Sequence, residues 1–334
     1  MVDDGWRSRV EALVDAAGYG PDDPLVVGVQ PAASPAVLVG RGQTLDGAAV
    51  GAATPVYAAS LAKQVTAVCT ALLVRQGRLT LGSSLTTWLP ELPGWASGVR
   101  VRHLLWHTGG LPEVCSYEEL ERAGLDRTTR GVVDALAARG RLEHPAGQEH
   151  RYSNAGYVCL ALVVARVTGQ PFAHAARNLV LDPLGLAGSR WWAGPGARPP
   201  RAAPLAPPHP AALSLGDGGL WSTAADLLRW NEAMHHDTLG VAAVVQTPGH
   251  LDDGTPLDYA WGVGVRERAG RRLYRHGGLW AGLNAQLVRV ADDGSGFVVL
   301  ALDLDEERTA TLAESLLEAL VPSHPNPRED ACTS

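Results

Sequence analysis

Tyr57-Ala58-Ala59-Ser60-Leu61-Ala62-Lys63 holds the only lysine of this 334-residue chain, three residues after a serine. The other 27 basic residues are arginine. A chain so rich in alanine, glycine and arginine uses arginine wherever positive charge alone is needed. The lysine that remains is a candidate for work arginine cannot do, because a desolvated amine can shed its proton and a guanidinium cannot. Three residues apart on a helix, hydroxyl and amine share a face. That pairing is the Ser-Lys form of nucleophilic catalysis. With 15 serines in the chain, chance alone sets one three residues before a lone lysine roughly once in 20. The pair therefore needs support from elsewhere in the sequence.

Composition narrows the class. The chain is 46% hydrophobic and 19% charged, enough to bury a large core. Its net charge of -7 argues against nucleic acid or an anionic membrane as partner. The start, Met1-Val2-Asp3-Asp4-Gly5-Trp6, is acidic and then amphipathic, unlike a signal peptide. No apolar stretch reaches the roughly 18 residues of a membrane span. Cys69, Cys115, Cys159 and Cys332 are scattered; reduced thiols are expected, with Cys69 and Cys159 inside helices. His103 and His107 stand four apart without a third ligand, so no metal and no cofactor is expected. These features describe a cytoplasmic, globular, enzyme-sized protein.

Apolar periodicity orders the rest. A helix is predicted over 4–18, with Trp6, Val10, Leu13 and Val14 on one face, then strands over 25–29 and 36–39. Ser60 opens an apolar helix that runs to about Gly77, with Val65, Val68, Cys69, Leu72 and Leu73 at helical spacing. Helical patterns follow at 102–106, 129–138, 155–167 and 171–181. The stretch 194–210, rich in Pro, Gly and Arg, reads as a surface loop. Ser222-Thr223 caps a helix over 224–234. Strands at 259–265, 272–275, 284–290 and 297–302 come next, then a helix at 307–320. A polar tail, 323–334, is expected to be disordered. The predicted fold is α+β. One mainly antiparallel sheet draws on both ends of the chain (1–59 and 213–322) and is flanked by terminal helices. An all-helical domain, 60–212, is inserted beside it, and a cleft between the two holds the start of the Ser60 helix.

Two more motifs follow in order: Tyr152-Ser153-Asn154 before a helix, and His276-Gly277-Gly278 at a strand edge. With them come Val101-Arg102-His103-Leu104-Leu105-Trp106-His107-Thr108-Gly109-Gly110-Leu111 and Gly218-Gly219-Leu220-Trp221-Ser222-Thr223. Together, over nearly the whole chain, they resemble the serine β-lactamase and penicillin-binding-protein superfamily, in its class C β-lactamase-like branch. The resemblance implies a β-lactamase/transpeptidase-like fold and a division of labour. Ser60 would be the nucleophile at a helix N-terminus, where free N–H groups favour developing negative charge. Lys63 would hydrogen-bond to Ser60 and Tyr152. Neither an amine nor a phenol is a good base near neutrality until a neighbour perturbs it, and the proton then belongs to the pair. Tyr152 is the expected acylation base and returns the proton to the leaving group. The oxyanion hole would be the backbone N–H groups of Ser60 and Leu279. Asn154 would bind a substrate carbonyl or amide and orient Lys63. The His107-Thr108-Gly109-Gly110 segment reads as a structural turn under the cleft.

One departure shapes the function. The lactamases and cell-wall carboxypeptidases usually open the third motif with lysine, which helps hold a substrate carboxylate. Here the motif opens with His276, and a neutral imidazole is a poor carboxylate clamp. Gly277 then stands where a hydroxyl residue is usual. This pattern is more like the esterase, D-aminopeptidase and transacylase members. The expected function is a serine hydrolase acting through a Ser60 acyl-enzyme on a small-molecule ester, amide or thioester. The alternative is a cytoplasmic transacylase passing the acyl group to an amine or alcohol in natural-product metabolism. A β-lactamase and a non-catalytic ligand-binding module rank lower. His276, Gly277 and Gly278 would contact substrate, and Trp280, with Trp191, Trp192 and Trp221, would line an apolar acyl pocket.

Overall fold

β-Branched runs at the two ends of the chain meet in one sheet. The computed structural model describes residues 4–114, 120, 122, 124–125, 128–192, 198–205, 214–280 and 282–323. Cys115, Cys332, the tail beyond 323 and most of the loop 194–210 lie outside the described residues. The strands are β1 (Leu25–Gln30), β2 (Val37–Arg41), β3 (Val56–Tyr57), β4 (Arg190–Trp191), β5 (Leu220–Ser222), β6 (Gly264–Arg268), β7 (Arg271–Trp280), β8 (Leu283–Val290) and β9 (Gly296–Ala301). Six of them form an antiparallel sheet in the order β2-β1-β9-β8-β7-β6. Its seam is β1, where Val27 faces Val39 on one side and Val299 on the other.

Both faces of the sheet are covered, which is why β1 reads as an unbroken apolar run. The helices Asp4–Ala16 and Glu306–Leu320 lay Val10, Val14, Leu312 and Leu316 against Leu25, Val27, Val29 and Val299. Each such side chain contributes about 2 kcal/mol of burial. The other face packs against the helix Ala224–His235, which comes so close that a Cβ on Gly28 would lie 2.9 Å from Leu228 Cδ1. The predicted antiparallel sheet with terminal helices is therefore present, with bounds shifted by a residue or two except in two places. The strand expected at 259–265 begins only at Gly264, because Ala260 N–H turns back to Val263 O at 2.8 Å. The strand expected at 272–275 extends through Trp280, carrying the His-Gly-Gly motif inside it.

The helical body is centred on Asn154–Thr168, apolar on nearly every side, packed against Ala62–Arg75. Ser153 caps it by accepting the Gly156 N–H at 3.2 Å, and Gly169 ends it in the left-handed conformation at φ +72°. A second sheet, β3-β5-β4, has no sequence signature because strands of two or three residues carry no periodicity. Its tryptophans overturn one expectation. Trp191 and Trp221 offer little surface to a substrate, and the cavity that Trp191 borders with Trp192 is lined by none of Ser60, Lys63 and Tyr152. Trp191 and Trp221 are 6% and 2% exposed, packed against Phe172 and Tyr57 respectively.

Candidate active site

The Ser60 turn is built by strain at the preceding residue. Ala59 has φ +45°, a conformation a non-glycine residue rarely adopts, and a single 3-10 turn, Ala59–Leu61, leads into the helix Ala62–Arg75. Ser60 is thereby set at the start of that helix, one turn before Lys63. β7 presses against this turn. A Cβ on Gly278 would lie 2.9 Å from Ala58 O and 3.2 Å from Ala59 Cβ, so only glycine fits without moving the strand.

Lys63 is fully buried. Its Nζ donates to Ser60 Oγ at 3.0 Å, Asn154 Oδ1 at 2.8 Å and Asp217 O at 2.8 Å. Three acceptors match the three N–H groups of an ammonium. The bonds to Ser60 and Asn154 were expected, but the third differs. The Tyr152 hydroxyl was expected there and a backbone carbonyl takes its place, while the Tyr152 ring lies over Nζ with its centroid 4.9 Å away. Asn154 is the first helical residue, free to reach Lys63 because Ser153 does the capping. Asp217 O is held in place by the small sheet: Tyr57 Oη accepts the Gly219 N–H at 3.1 Å, and Trp191 Nε1 donates to Gly218 O at 3.0 Å. The Asp217 carboxyl is pushed above its ordinary range by burial, with the Lys63 charge working against that rise.

The second expected oxyanion donor follows from the sheet register. The Ala291 N–H bonds to Arg272 O at 2.9 Å, and β7 pairs with β8 without a bulge from Leu273–Val290 to Trp280–Leu283. Antiparallel ladders alternate, so even-numbered residues of β7 turn N–H and C=O toward β8 and odd-numbered residues turn them away. On the far side, β6 covers β7 only as far as Arg275. The Leu279 N–H and C=O therefore point out of a bare strand edge, beside the Ser60 turn that packs on Gly278. The Leu279 side chain itself is 54% exposed.

Tyr152 keeps 42% of its surface exposed. Beneath it lies His107, whose ring centroid is 4.3 Å away and whose backbone takes φ +56°. His107 O accepts the Arg151 N–H at 2.8 Å, and His107 Nδ1 accepts the Ser153 N–H at 3.1 Å. The turn expected under the cleft is thus a clamp on the Tyr152 loop.

His276, expected to contact substrate, is 8% exposed and has both ring nitrogens engaged inside the protein. Nε2 meets Tyr259 Oη at 3.2 Å, and Nδ1 meets Gly277 O at 2.6 Å. Burial, and then the Lys63 charge, push its pKa down to about 4, so it is neutral at pH 7. The part of this motif that can meet a ligand is the backbone edge from Gly277 to Leu279. Trp280 is partly exposed, packed against the core with its ring 6.1 Å from Tyr57. Sequence reading missed Tyr259 and Asp217. Tyr259 sat in a run read as a strand, and Asp217 contributes a carbonyl that any residue carries. Among the described residues no three His, Cys, Asp or Glu side chains cluster as metal ligands.

Comparison with known proteins identifies the fold and the family. The Beta-lactamase family model matches residues 22–320. A penicillin-binding protein of Bacillus subtilis (strain 168) is 27% identical over 292 residues, 78% of this chain and 63% of its own length. Esterase EstB of Burkholderia gladioli is 37% identical over 146 residues, 38% of this chain and 36% of its own. The chain thus spans less than two thirds of these relatives. Among solved structures, the D-amino acid amidase of Ochrobactrum anthropi SV3 superposes with a TM-score of 0.77 at 18% identity, covering 94% of this chain and 97% of that one. A D-stereospecific amidohydrolase from Streptomyces sp. gives 0.75 at 20% identity, over 95% and 99%. These likenesses establish the fold, and the match over residues 22–320 establishes the membership: the chain belongs to the Beta-lactamase family.

Proposed function

We propose that the protein is a serine hydrolase that forms an acyl-enzyme at Ser60 with small, uncharged esters or amides. The observation that carries the substrate class is His276, neutral and with both nitrogens spent on Tyr259 and Gly277, so that this wall offers no cation to a substrate carboxylate. An esterase and, by fold, amidases among the similar proteins support the same reading.

Ser60 Oγ attacks the substrate carbonyl while the Lys63 ammonium, fixed by Asn154 and Asp217, holds the hydroxyl oriented. Tyr152, acting as the phenolate beside the Lys63 ammonium, takes the hydroxyl proton and becomes the neutral phenol. The carbonyl oxygen, now negative, sits between the N–H groups of Ser60 and Leu279, where each donor contributes roughly 100- to 1000-fold in rate. The C–O or C–N bond breaks, the leaving group receives the proton from Tyr152, and the acyl group remains on Ser60. Water, deprotonated by the phenolate that remains, then attacks the acyl carbon; the bond to Ser60 Oγ breaks, the acid leaves, and Tyr152 returns the proton to Ser60 Oγ. The outward Leu279 C=O is placed to accept an N–H from an amide-bearing acyl chain.

The test is a p-nitrophenyl butyrate burst with intact-mass detection. One butyryl group per chain, absent from Ser60→Ala, is the expected result, and no burst with any activated ester refutes the proposal. Added amines or alcohols that divert product from the free acid would identify acyl transfer in place of hydrolysis. Nitrocefin turnover matching ester turnover would refute the substrate class.

A further inference from the structure

Two buried imidazoles flank Tyr259, and their hydrogen bonds admit one direction. The Ser153 N–H can only donate, and it meets His107 Nδ1 at 3.1 Å. That nitrogen is an acceptor, so the neutral ring carries its proton on Nε2. His107 Nε2 lies 3.1 Å from Tyr259 Oη and donates to it. The phenol proton then has two acceptors beside it, the Tyr157 hydroxyl oxygen and His276 Nε2, 3.2 Å away, of which the imidazole nitrogen is the stronger base. His276 consequently carries its proton on Nδ1, which faces Gly277 O, a group that can only accept, at 2.6 Å. A backbone donor fixes one end, beside Tyr152. A backbone acceptor fixes the other, on the oxyanion strand. The two ends require opposite polarity, and the three side chains between them supply it with no donor meeting a donor.

The surroundings keep every member uncharged. His107 faces Lys63, His150, Tyr152 and Tyr157 as well as Tyr259, and burial with the Lys63 charge holds it well below the ordinary histidine range. His276 faces Lys63, Tyr152 and Tyr259. Burial holds the Tyr259 phenol well above the ordinary tyrosine range, and Tyr157 spends its own proton on Leu105 O at 2.9 Å. No carboxylate is among these neighbours, so a proton added to either ring would have no counterion, and on His107 Nδ1 it would also face the Ser153 N–H donor.

We propose that Tyr259 is a positioning residue. Through the neutral His107–Tyr259–His276 chain it ties the Tyr152 loop to the Gly277–Leu279 edge, so that base and oxyanion donor hold a fixed separation. The proposal rests on the Ser60 acyl-enzyme reading, yet its first measurement needs no substrate.

Nitrogen-15 NMR of histidine-labelled wild-type protein at pH 7.5 should show His107 protonated at Nε2 only and His276 at Nδ1 only. Either ring charged, or in the opposite tautomer, overturns the chain. Tyr259→Phe keeps the ring and removes the hydroxyl. It should lower the acylation rate about 10-fold, the loss of one neutral hydrogen bond at a reacting geometry, with KM changed less than about twofold. In a double-mutant cycle with His276→Leu the losses should be non-additive, the double variant being no slower than His276→Leu alone. A Tyr259→Phe variant as fast as wild type, or strictly additive losses, refutes the positioning role even where thermal stability falls. Correct tautomers with no Ser60 adduct on wild type would refute the acyl-enzyme reading and leave the tie between the loops standing.

Discussion

Replacing Gly278 by alanine isolates the oxyanion geometry from every catalytic side chain. The added Cβ would stand 2.9 Å from Ala58 O and 3.2 Å from Ala59 Cβ, where ordinary contact begins at 3.4 Å. Both obstacles are close to the main chain of the Ser60 turn, which cannot swing aside as a side chain can. β7 must therefore retreat by about half an ångström, carrying the Leu279 N–H away from a site where donors work at roughly 2.7–3.1 Å. Complete loss of one donor costs roughly 100- to 1000-fold, so a partial retreat should slow acylation about 30-fold. The strain should also cost about 1–3 kcal/mol of stability. Stopped-flow release of p-nitrophenolate reads the acylation rate directly. The burst amplitude should stay at one per chain, since Ser60 is untouched, while the burst rate falls. Gly277→Ala is the control: its Cβ meets first only the movable Nε2 end of Gln286, at 3.2 Å, and acylation should stay within about threefold. If Gly278→Ala acylates as fast as Gly277→Ala, the Leu279 N–H is not an oxyanion donor.

Three other perturbations test separate parts of the site. Lys63→Arg keeps the charge but sets a planar fork where three acceptors surround one nitrogen, and acylation should fall at least about 1000-fold; retained activity would show that no amine is required. Asp217→Asn removes a carboxyl whose pKa burial raises, so that ionisation near neutrality opposes folding. The variant should gain about 1 kcal/mol at pH 7 in chemical denaturation, a gain that disappears toward pH 4, and an unchanged midpoint would contradict it. His276 titrates at about 4 in the folded protein against 6.5 in a free chain. The unfolded chain therefore binds the proton first as pH falls, so this contribution to stability is complete above pH 6.5 and is lost as pH drops toward 4. By pH 5 the loss should be about 2 kcal/mol, and denaturation midpoints that stay level from pH 7.5 to 5 would rule it out.

What could be read from the residues alone follows from where the information resides. The sheet was legible because Leu25–Gln30 and Gly296–Ala301 are nearly unbroken apolar runs, and the terminal helices because Val10, Val14, Leu312 and Leu316 repeat at helical spacing. The hydrogen-bonded pair of Ser60 and Lys63 was legible because lysine occurs once. Contributions from the main chain were not. Asp217 O and the clamp formed by His107 O depend on backbone direction, which side-chain identity does not encode. Ser153 and Asn154 are equally good capping residues, so their roles separate only in three dimensions. Tryptophan fits a core and a pocket equally well, which is how Trp191 and Trp221 were misplaced. His276 is the subtlest case: its identity showed that a lysine was missing, and only its burial showed what it does instead.

The seam at β1 has a consequence for when the molecule becomes active. β1 lies between β2, made moments later, and β9, made only after the whole helical body between them in sequence. Ser60 and Lys63 are synthesised early, while Leu279 belongs to a strand that enters the sheet through β8 and β9. A nascent chain therefore carries Ser60 and Lys63 long before it contains Leu279. Domains generally fold as units during synthesis, but this site must wait for pairing between segments far apart in the chain. On the acyl-enzyme reading, reactivity would therefore wait for closure of the sheet, when β7 brings Leu279 beside the Ser60 turn.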